Sequence, residues 1–433
     1  MESIWSEKIE LPRFRRLEGD AKTDVLIIGG GMAGLLCAYF LQQQGVDYML
    51  VERNRICGGV TEHTTAKITA QHGLIYHKML KSIGVEKTRM YLEANQNAVR
   101  KYFEICSSID CDFEEQSNYV YSLKSRRKIE KEADAIRKSG FAPVVTRECG
   151  LPLPIAQAVG LKHQAQFHPL KFVRGISPGL KIYEQTFVKK LKEHTAVTQN
   201  GKIRFQKLIF ATHFPIDNKH GLYFLKMYQN RSYVLALENA KHVSGMYVDE
   251  SKNGLSFRNY GKYLLLGGGS HRTGKNGGGW KELRSFARLQ YPGAKEIGCW
   301  AAQDCMTLDG IPYIGRYADA MPHCYVATGF NKWGMTSSMV AAMILTDMIL
   351  EKENEYAPVF DPSRNMMKPQ LLLNGFEAAA GLFTFSTKRC PHLGCALKWN
   401  PMEHSWDCPC HGSRFTRSGR LLDNPANGNL FWR

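Results

Sequence analysis

Four consecutive apolar residues, Val25-Leu26-Ile27-Ile28, run into Gly29-Gly30-Gly31 and then into a segment whose apolar side chains recur at helical spacing from Met32 to Leu41. Four residues suffice for a strand buried on both faces, and Gly45 is placed to end the helix that follows. A second apolar run, Tyr48 to Val51, stops at Glu52, eighteen residues after Gly34. The pattern predicts strand, tight turn, helix, strand. Further along, Lys87 to Ser107 reads as a helix. Ser232 to Leu237 and Tyr263 to Gly267 read as strands between Gly/Asn turns. Met339 to Leu350 is apolar but broken by Thr346 and Asp347, which predicts a buried helix rather than a membrane span. Glu351 to Pro369, with three prolines and many charges, reads as a linker.

Two stretches carry chemistry. In the first, Gly29 suits a tight turn, Gly31 the approach of a pyrophosphate to the backbone, and Gly34 the packing of helix on strand. The helix N-terminus then attracts phosphate, and Glu52 accepts from a ribose hydroxyl. The spacing does not choose between FAD and NAD. The second stretch is Cys390-x-His392, a gap of fifteen residues, and Cys408-x-x-His411. Two thiolates and two imidazoles can hold one tetrahedral zinc or the two irons of a Rieske [2Fe–2S] centre.

Further segments carry a resemblance. Gly58-Gly59 through Thr64-Thr65-Ala66-Lys67 to Gln71-His72-Gly73 is similar to a loop that crosses the flavin in the D-amino-acid oxidase-like FAD superfamily, in its glycerol-phosphate oxidising branch. Asp309-Gly310-x-Pro312-x-x-Gly315, followed by Gly329 and Gly334-Met335-Thr336, resembles the superfamily's C-terminal element at the flavin pyrimidine edge. Leu208 to Pro215, with Thr212, resembles the strand beneath the dinucleotide. The resemblance covers residues 20 to 352. It implies FAD contacts at Gly29, Gly31, Gly34, Glu52, Arg53, Gly59, Thr64, Thr65, Ala66 and Lys67. It adds Val188, Thr212, Asp309, Gly310, Gly329, Gly334, Met335 and Thr336. From about 386 to 430 the chain resembles a two-loop Rieske domain. That resemblance implies a [2Fe–2S] cluster on Cys390, His392, Cys408 and His411, with Cys395 and Cys410 joined as a disulfide, for which a zinc site has no use. It also casts Ser413 as a donor to the cluster. Phe415 stands where a tyrosine is often found, so the expected potential lies below the top of the roughly −150 to +300 mV Rieske range. Together the two parts look like bacterial FAD-dependent oxidoreductases with a C-terminal Rieske domain.

The expected fold class is α/β. A Rossmann-like FAD-binding domain (21–75, 150–215 and 300–352) is interleaved with an α+β substrate domain (76–149 and 216–299). An N-terminal arm (1–20) lays Trp5 and Phe14 on the flavin domain, and a linker (353–385) leads to a small all-β Rieske lobe (386–433). A full Rieske domain has several base strands ahead of its first ligand loop, whereas only about twenty residues separate Pro369 from Cys390. So short a lobe cannot bury its own core and is expected to lean on the flavin module or on another subunit.

Composition narrows the picture further. The 433 residues allow two or three domains, and 44% hydrophobic with 22% charged residues is ordinary for a soluble globular chain. The opening Met-Glu-Ser-Ile-Trp-Ser-Glu-Lys lacks an apolar signal core, which predicts a cytoplasmic location without membrane attachment. Eight of the twelve cysteines show no metal spacing and read as small buried residues, with Cys57 near the covering loop the one to watch. A formal charge of +17, with no basic run longer than Arg126-Arg127-Lys128, does not read as nucleic-acid binding. Lys388, Arg389, Lys398, Arg414, Arg417 and Arg420 around the ligand loops read instead as a steering surface for an acidic ferredoxin- or flavodoxin-type carrier.

The superfamily resemblance implies oxidation of a C–N or C–O bond in a small-molecule substrate. Candidates for that work are Arg258 as carboxylate anchor, His271 after a glycine turn, and Lys67 and His72 on the covering loop. The leading expectation is an amine or amino-acid dehydrogenase that sends single electrons through the cluster to a soluble acceptor. One alternative is a reductase running from ferredoxin or flavodoxin through the cluster to FAD. Another is a redox-sensing module whose cofactors report rather than turn over. Association into a homo-oligomer is left open by the sequence.

Overall fold

A computed structural model describes residues 3–7, 9–217, 220–251, 254–364, 384 and 388–430. Most of the expected linker beyond residue 364 lies outside the described residues.

The glycine-turn strand Val25–Ile28 lies inside a six-stranded sheet. The order is Tyr313–Arg316, Cys324–Thr328, Lys207–Phe210, Val25–Ile28, Tyr48–Val51 and Ile182–Tyr183. All pairings are parallel except that of the edge strand Tyr313–Arg316. A mostly parallel sheet is covered on both faces, which is why Val25–Ile28 reads as an unbroken apolar run. Val25 and Ile27 pack with helices Met32–Gln43 and Gly334–Ile349. Leu26 and Ile28 point the other way, towards Ala196, Ile203 and Phe205 of a small four-stranded sheet.

A second, nine-stranded sheet carries the rest of the flavin module. Its edge strand Lys295–Thr307 pairs antiparallel with Met227–Glu238, which pairs in turn with Tyr263–Arg272. Alternation gives these strands two distinct faces. Val234, Ala236 and Trp300 join the inner core, while Tyr233, Leu235 and Leu237 join an outer one under helix Gly279–Gln290. Two expected boundaries shift. Strand Gln157–Gln166, placed in the FAD domain from the sequence, pairs along Glu114–Ser122 in the large sheet, and Lys295–Thr307 runs straight across the 299/300 division. The helix expected from Lys87 follows a kink at Gly84, whose φ 82° and ψ 174° are not helical, with a shorter helical stretch from Tyr76 ahead of it.

The C-terminal lobe is an antiparallel sheet of four short strands, Lys398–Asn400, Ser405–Asp407, Arg414–Thr416 and Leu421–Asp423. Its core is Cys390, Cys395, Leu397, Cys408, Cys410, Phe415, Ala426 and Leu430. Four of those eight are cysteines, so apolar burial alone cannot hold it together. It rests on its own chain's flavin module.

Candidate active site and cluster centre

A single cavity of about 970 Å³ runs from the Gly29–Gly31 turn to the first turn of helix Gly334–Ile349. At one end, helix Met32–Gln43 starts from Gly31 without a side-chain cap, so its first backbone N–H groups are available to an anion. Glu52 closes the neighbouring strand and accepts from the N–H of Gly30 at 2.8 Å and of Asn54 at 2.8 Å. A side chain at Gly29, φ 112°, would strike the Ala211 carbonyl, and one at Gly34 would strike the Gly29 carbonyl. At the other end, helix Gly334–Ile349 also begins uncapped, from Trp333. Two open helix N-termini facing one elongated cavity suit a dinucleotide that carries a pyrophosphate and a polar ring edge.

The expected FAD contacts divide into three groups. Gly29, Gly31, Glu52, Arg53, Gly59 and Val188 line the cavity at the turn end. Thr64, Thr65, Lys67, Thr212, Asp309, Gly310, Gly334 and Met335 line it along its length and at the far end. Gly34, Ala66, Gly329 and Thr336 lie behind the wall and shape it. Thr336, for example, donates to Thr69 O at 2.9 Å and so ties the second helix to the covering loop.

The loop residues behave differently from one another. Lys67 is buried but opens on the cavity, and burial together with the nearby Arg258 guanidinium pushes its pKa down to about 7. His72 is held between Tyr91 Oη and Thr69 O, each at 2.7 Å, and stacks on Trp333 at 4.9 Å. Burial lowers its pKa to about 3, so the ring is neutral and serves as a spacer.

Two candidates are corrected by their surroundings. Arg258 does not line the cavity. Its guanidinium donates to the carbonyls of Thr65 (2.7 Å), Ala66 (2.9 Å) and Asn259 (3.0 Å), with Trp5 of the N-terminal arm 5.4 Å away. Through Nη1 it braces the covering loop, away from the cavity lining. His271 faces outwards, bonded to Tyr233 Oη at 2.9 Å and to Arg272 O at 3.0 Å.

The inner face of the large sheet supplies groups that sequence reasoning missed. Asn230, Ser232, Ser270 and Asp304 face the cavity, joined by Lys332 from the loop ahead of the second helix. Asp304 accepts from Ser232 Oγ at 3.4 Å, and Lys332 donates to Ser270 Oγ at 2.9 Å. Among the described residues no ion pair joins Asp304 to Lys332. Burial raises the Asp304 pKa and lowers that of Lys332, each opposed by the charge of the other. Lys332 is enclosed by protein yet open to the cavity. The usable signal was a charge inside an otherwise apolar alternating strand, and a lysine between two glycines of the flavin-edge motif.

In the lobe, Cys390 and Cys408 are fully buried with their thiols in contact, and the His392 and His411 rings lie 4.9 Å apart. Both ring nitrogens of His392 and Nδ1 of His411 are buried without a hydrogen-bond partner. Orphaned buried imidazole nitrogens beside two paired thiols fit a metal centre, because buried polar atoms otherwise find partners. The sulfurs of Cys395, Cys408 and Cys410 lie within 4.8 Å of one another. Ser413 bonds the Cys390 thiol and accepts from Ala426 N at 3.0 Å.

The ligand-bearing end of the lobe faces the flavin module. Phe214 lies 6.3 Å from His392 and Phe224 5.9 Å from His411. Asn424 donates to Thr212 O at 2.6 Å and Phe214 O at 2.9 Å, and Asn427 to Ile216 O at 2.8 Å. Glu403 of the lobe accepts from Arg231 of the large sheet at both carboxylate oxygens, from Nη2 and from Nε at 3.1 Å. Arg414 binds Glu403 at 2.8 Å, Asp407 at 3.0 Å and Asp423 at 3.0 Å. Arg414 is therefore buried and neutralised, and leaves the expected steering surface. Lys398, Arg417 and Arg420 remain exposed.

Comparison with known proteins follows this geometry. Residues 24–348 match the family described as FAD dependent oxidoreductase, and residues 367–431 match the Rieske [2Fe-2S] domain. A Bacillus subtilis (strain 168) protein named for a Rieske 2Fe-2S iron-sulfur centre is 36% identical across 98% of this chain and 96% of its own length. Among solved structures, L-proline dehydrogenase from P. horikoshii superposes with a TM-score of 0.66 at 15% identity, covering 80% of this chain and 98% of that one. Glycine oxidase from Geobacillus kaustophilus gives 0.63 at 18% identity, covering 80% and 99%.

Proposed function

The chain belongs to the FAD-dependent oxidoreductase family and carries a C-terminal Rieske [2Fe–2S] domain, and from that premise we propose that it dehydrogenates a small amine or amino acid and releases the electrons singly to a soluble acceptor. The observation that carries the substrate assignment is the unpaired couple in the cavity wall. A carboxylate, Asp304, and an ammonium, Lys332, face one space and are satisfied only by hydroxyls. Asp304 is half-buried and Lys332 is exposed within the cavity, so a ligand carrying the opposite charges could pair with both. An amino acid does so with its own ammonium and carboxylate.

FAD, when bound, accepts two electrons as hydride from the carbon next to nitrogen, and the cluster passes one at a time. The chain's residues prepare the substrate for this. Asp304 and Lys332 orient it. Lys67, with a pKa of about 7, is positioned to take the proton that the amine must lose before oxidation. Arg258 holds the covering loop that carries Lys67. The partner we propose is an acidic ferredoxin- or flavodoxin-type carrier, drawn to Lys398, Arg417 and Arg420.

Anaerobic titration of the holoprotein with a panel of amines and amino acids tests the reading. Flavin absorbance should bleach with one or more of them, followed by that of the cluster. Bleaching by reduced ferredoxin alone, with none of the panel, would instead establish the reverse flow.

A further inference from the structure

The lobe does not merely sit beside the flavin cavity. It packs on the back of the sheet whose front forms the cavity wall. Along Met227–Glu238, Tyr228, Asn230 and Ser232 face the cavity, while Gln229, Arg231 and Tyr233 contact the lobe, where Glu403, Arg414 and Asn424 also line the cavity's edge. On Lys295–Thr307, Asp304 faces the cavity and its neighbour Gln303 bonds the lobe. The strand backbone between these two residues therefore links the lobe contact to the cavity.

At the centre of this contact Gln303, 2% exposed, donates to the carbonyl of Gly412 at 2.8 Å. Gly412 follows the ligand His411 directly. The other end of the Gln303 amide accepts from Thr273 Oγ at 2.9 Å, which fixes its orientation. Gly412 has φ 88°, and a side chain there would collide with Gln229, so the ligand loop meets the sheet at a glycine because nothing larger fits. The path from His411 through the Gly412 peptide and the Gln303 side chain to the backbone of Asp304 contains one hydrogen bond and no through-space gap. Gln229 reaches the same glycine only by van der Waals contact.

We infer that Gln303 is the crossing point for electrons between the cavity and the cluster, a positioning residue that couples the cluster-ligand loop to the sheet. The inference rests on the proposed relay and adds its route. The route serves either direction of flow. For a dehydrogenase, the pair of electrons drawn from one substrate bond crosses as two single electrons. A one-electron carrier of ferredoxin or flavodoxin type takes up each in turn, and two protons go to water.

The test uses anaerobic holoprotein, with deazaflavin flash photoreduction to deliver one electron and absorbance to follow its redistribution between flavin and cluster. Gln303→Leu keeps a side chain of similar bulk, one atom shorter, and removes both bonds. Asn427→Ala removes a docking bond away from the crossing. We expect redistribution to slow by about tenfold or more in Gln303→Leu and by less than about twofold in Asn427→Ala. FAD and iron content should be full in both, and the cluster midpoint potential should be unchanged, which separates coupling from driving force. A wild-type rate in Gln303→Leu overturns the route while leaving the relay standing, and equal slowing in both variants overturns it in favour of general docking. Absence of redistribution in the unmodified protein removes relay and route together. If Gln303→Leu does not keep its cluster, Thr273→Val loosens the glutamine while leaving it in place, and an unchanged rate there counts against the inference.

Discussion

Lys67 sets the expected pH response at the scale of single residues. Its pKa of about 7 makes it neutral, and able to accept a proton, only above that value. Flavin bleaching by an amine substrate should therefore accelerate as pH rises through about 7. Lys67→Met should abolish that inflection and slow bleaching by about 10²–10⁴-fold, the usual weight of general base catalysis, as followed by stopped-flow absorbance. Asp304→Asn and Lys332→Met should each raise KM by about ten- to a hundredfold with FAD retained, since a charged hydrogen bond contributes about 1.5–3 kcal/mol. Little change in both variants would place the substrate elsewhere. Arg258 shows why such residues mislead in a sequence. A lone arginine on a strand suggests an anion site, yet here Nε and Nη1 donate to carbonyls of the covering loop and its neighbours, outside the cavity lining.

At the scale of elements, helix Met32–Gln43 packs on its strand only because Gly34 lacks a side chain. Gly34→Ala should push the helix from the Gly29 carbonyl and release FAD, measurable as loss of the flavin spectrum from purified protein. The two ligand loops are the corresponding weak elements of the lobe. Cys395→Ser or Cys410→Ser should lose iron while FAD stays bound, because eight core residues cannot hold the loops by packing alone. Full iron in both variants would refute a structural bridge. Much of this was legible in the sequence. The glycine turn, the two short parallel strands and the Cys/His pairs that meet in the lobe are all visible as local patterns. The helical stretch from Tyr76 to the kink at Gly84 was not, because it is too short to show a clear period of its own. Strand Gln157–Gln166 was assigned to the wrong layer, since its partner Glu114–Ser122 is fixed by pairing and not by pattern. Asp304 and Lys332 come together only when an edge strand and a helix entry close on the same cavity.

At the scale of the whole molecule, what fixes the lobe is the linkage of Arg231, Glu403 and Arg414. Arg231→Ala leaves Glu403 short of a buried partner, a loss of about 3–5 kcal/mol in comparable pairs. The lobe should then come away from the sheet, seen as faster proteolytic cleavage of the lobe from the flavin module and slower redistribution of electrons, with the flavin spectrum intact. Cleavage at the wild-type rate would show that the asparagine contacts suffice.

The same linkage has a consequence for ionic strength. Arg231, Glu403 and Arg414 are 4%, 8% and 6% exposed, too deep for mobile ions to reach. Lys398, Arg417 and Arg420 stand in solvent, where the field decays over about 8 Å at physiological salt and about 3 Å at 1 M. Added sodium chloride should therefore divide the electron's journey into two legs. Passage from flavin to cluster should hold its rate across the series, while delivery to an acidic carrier should fall steeply with each increment.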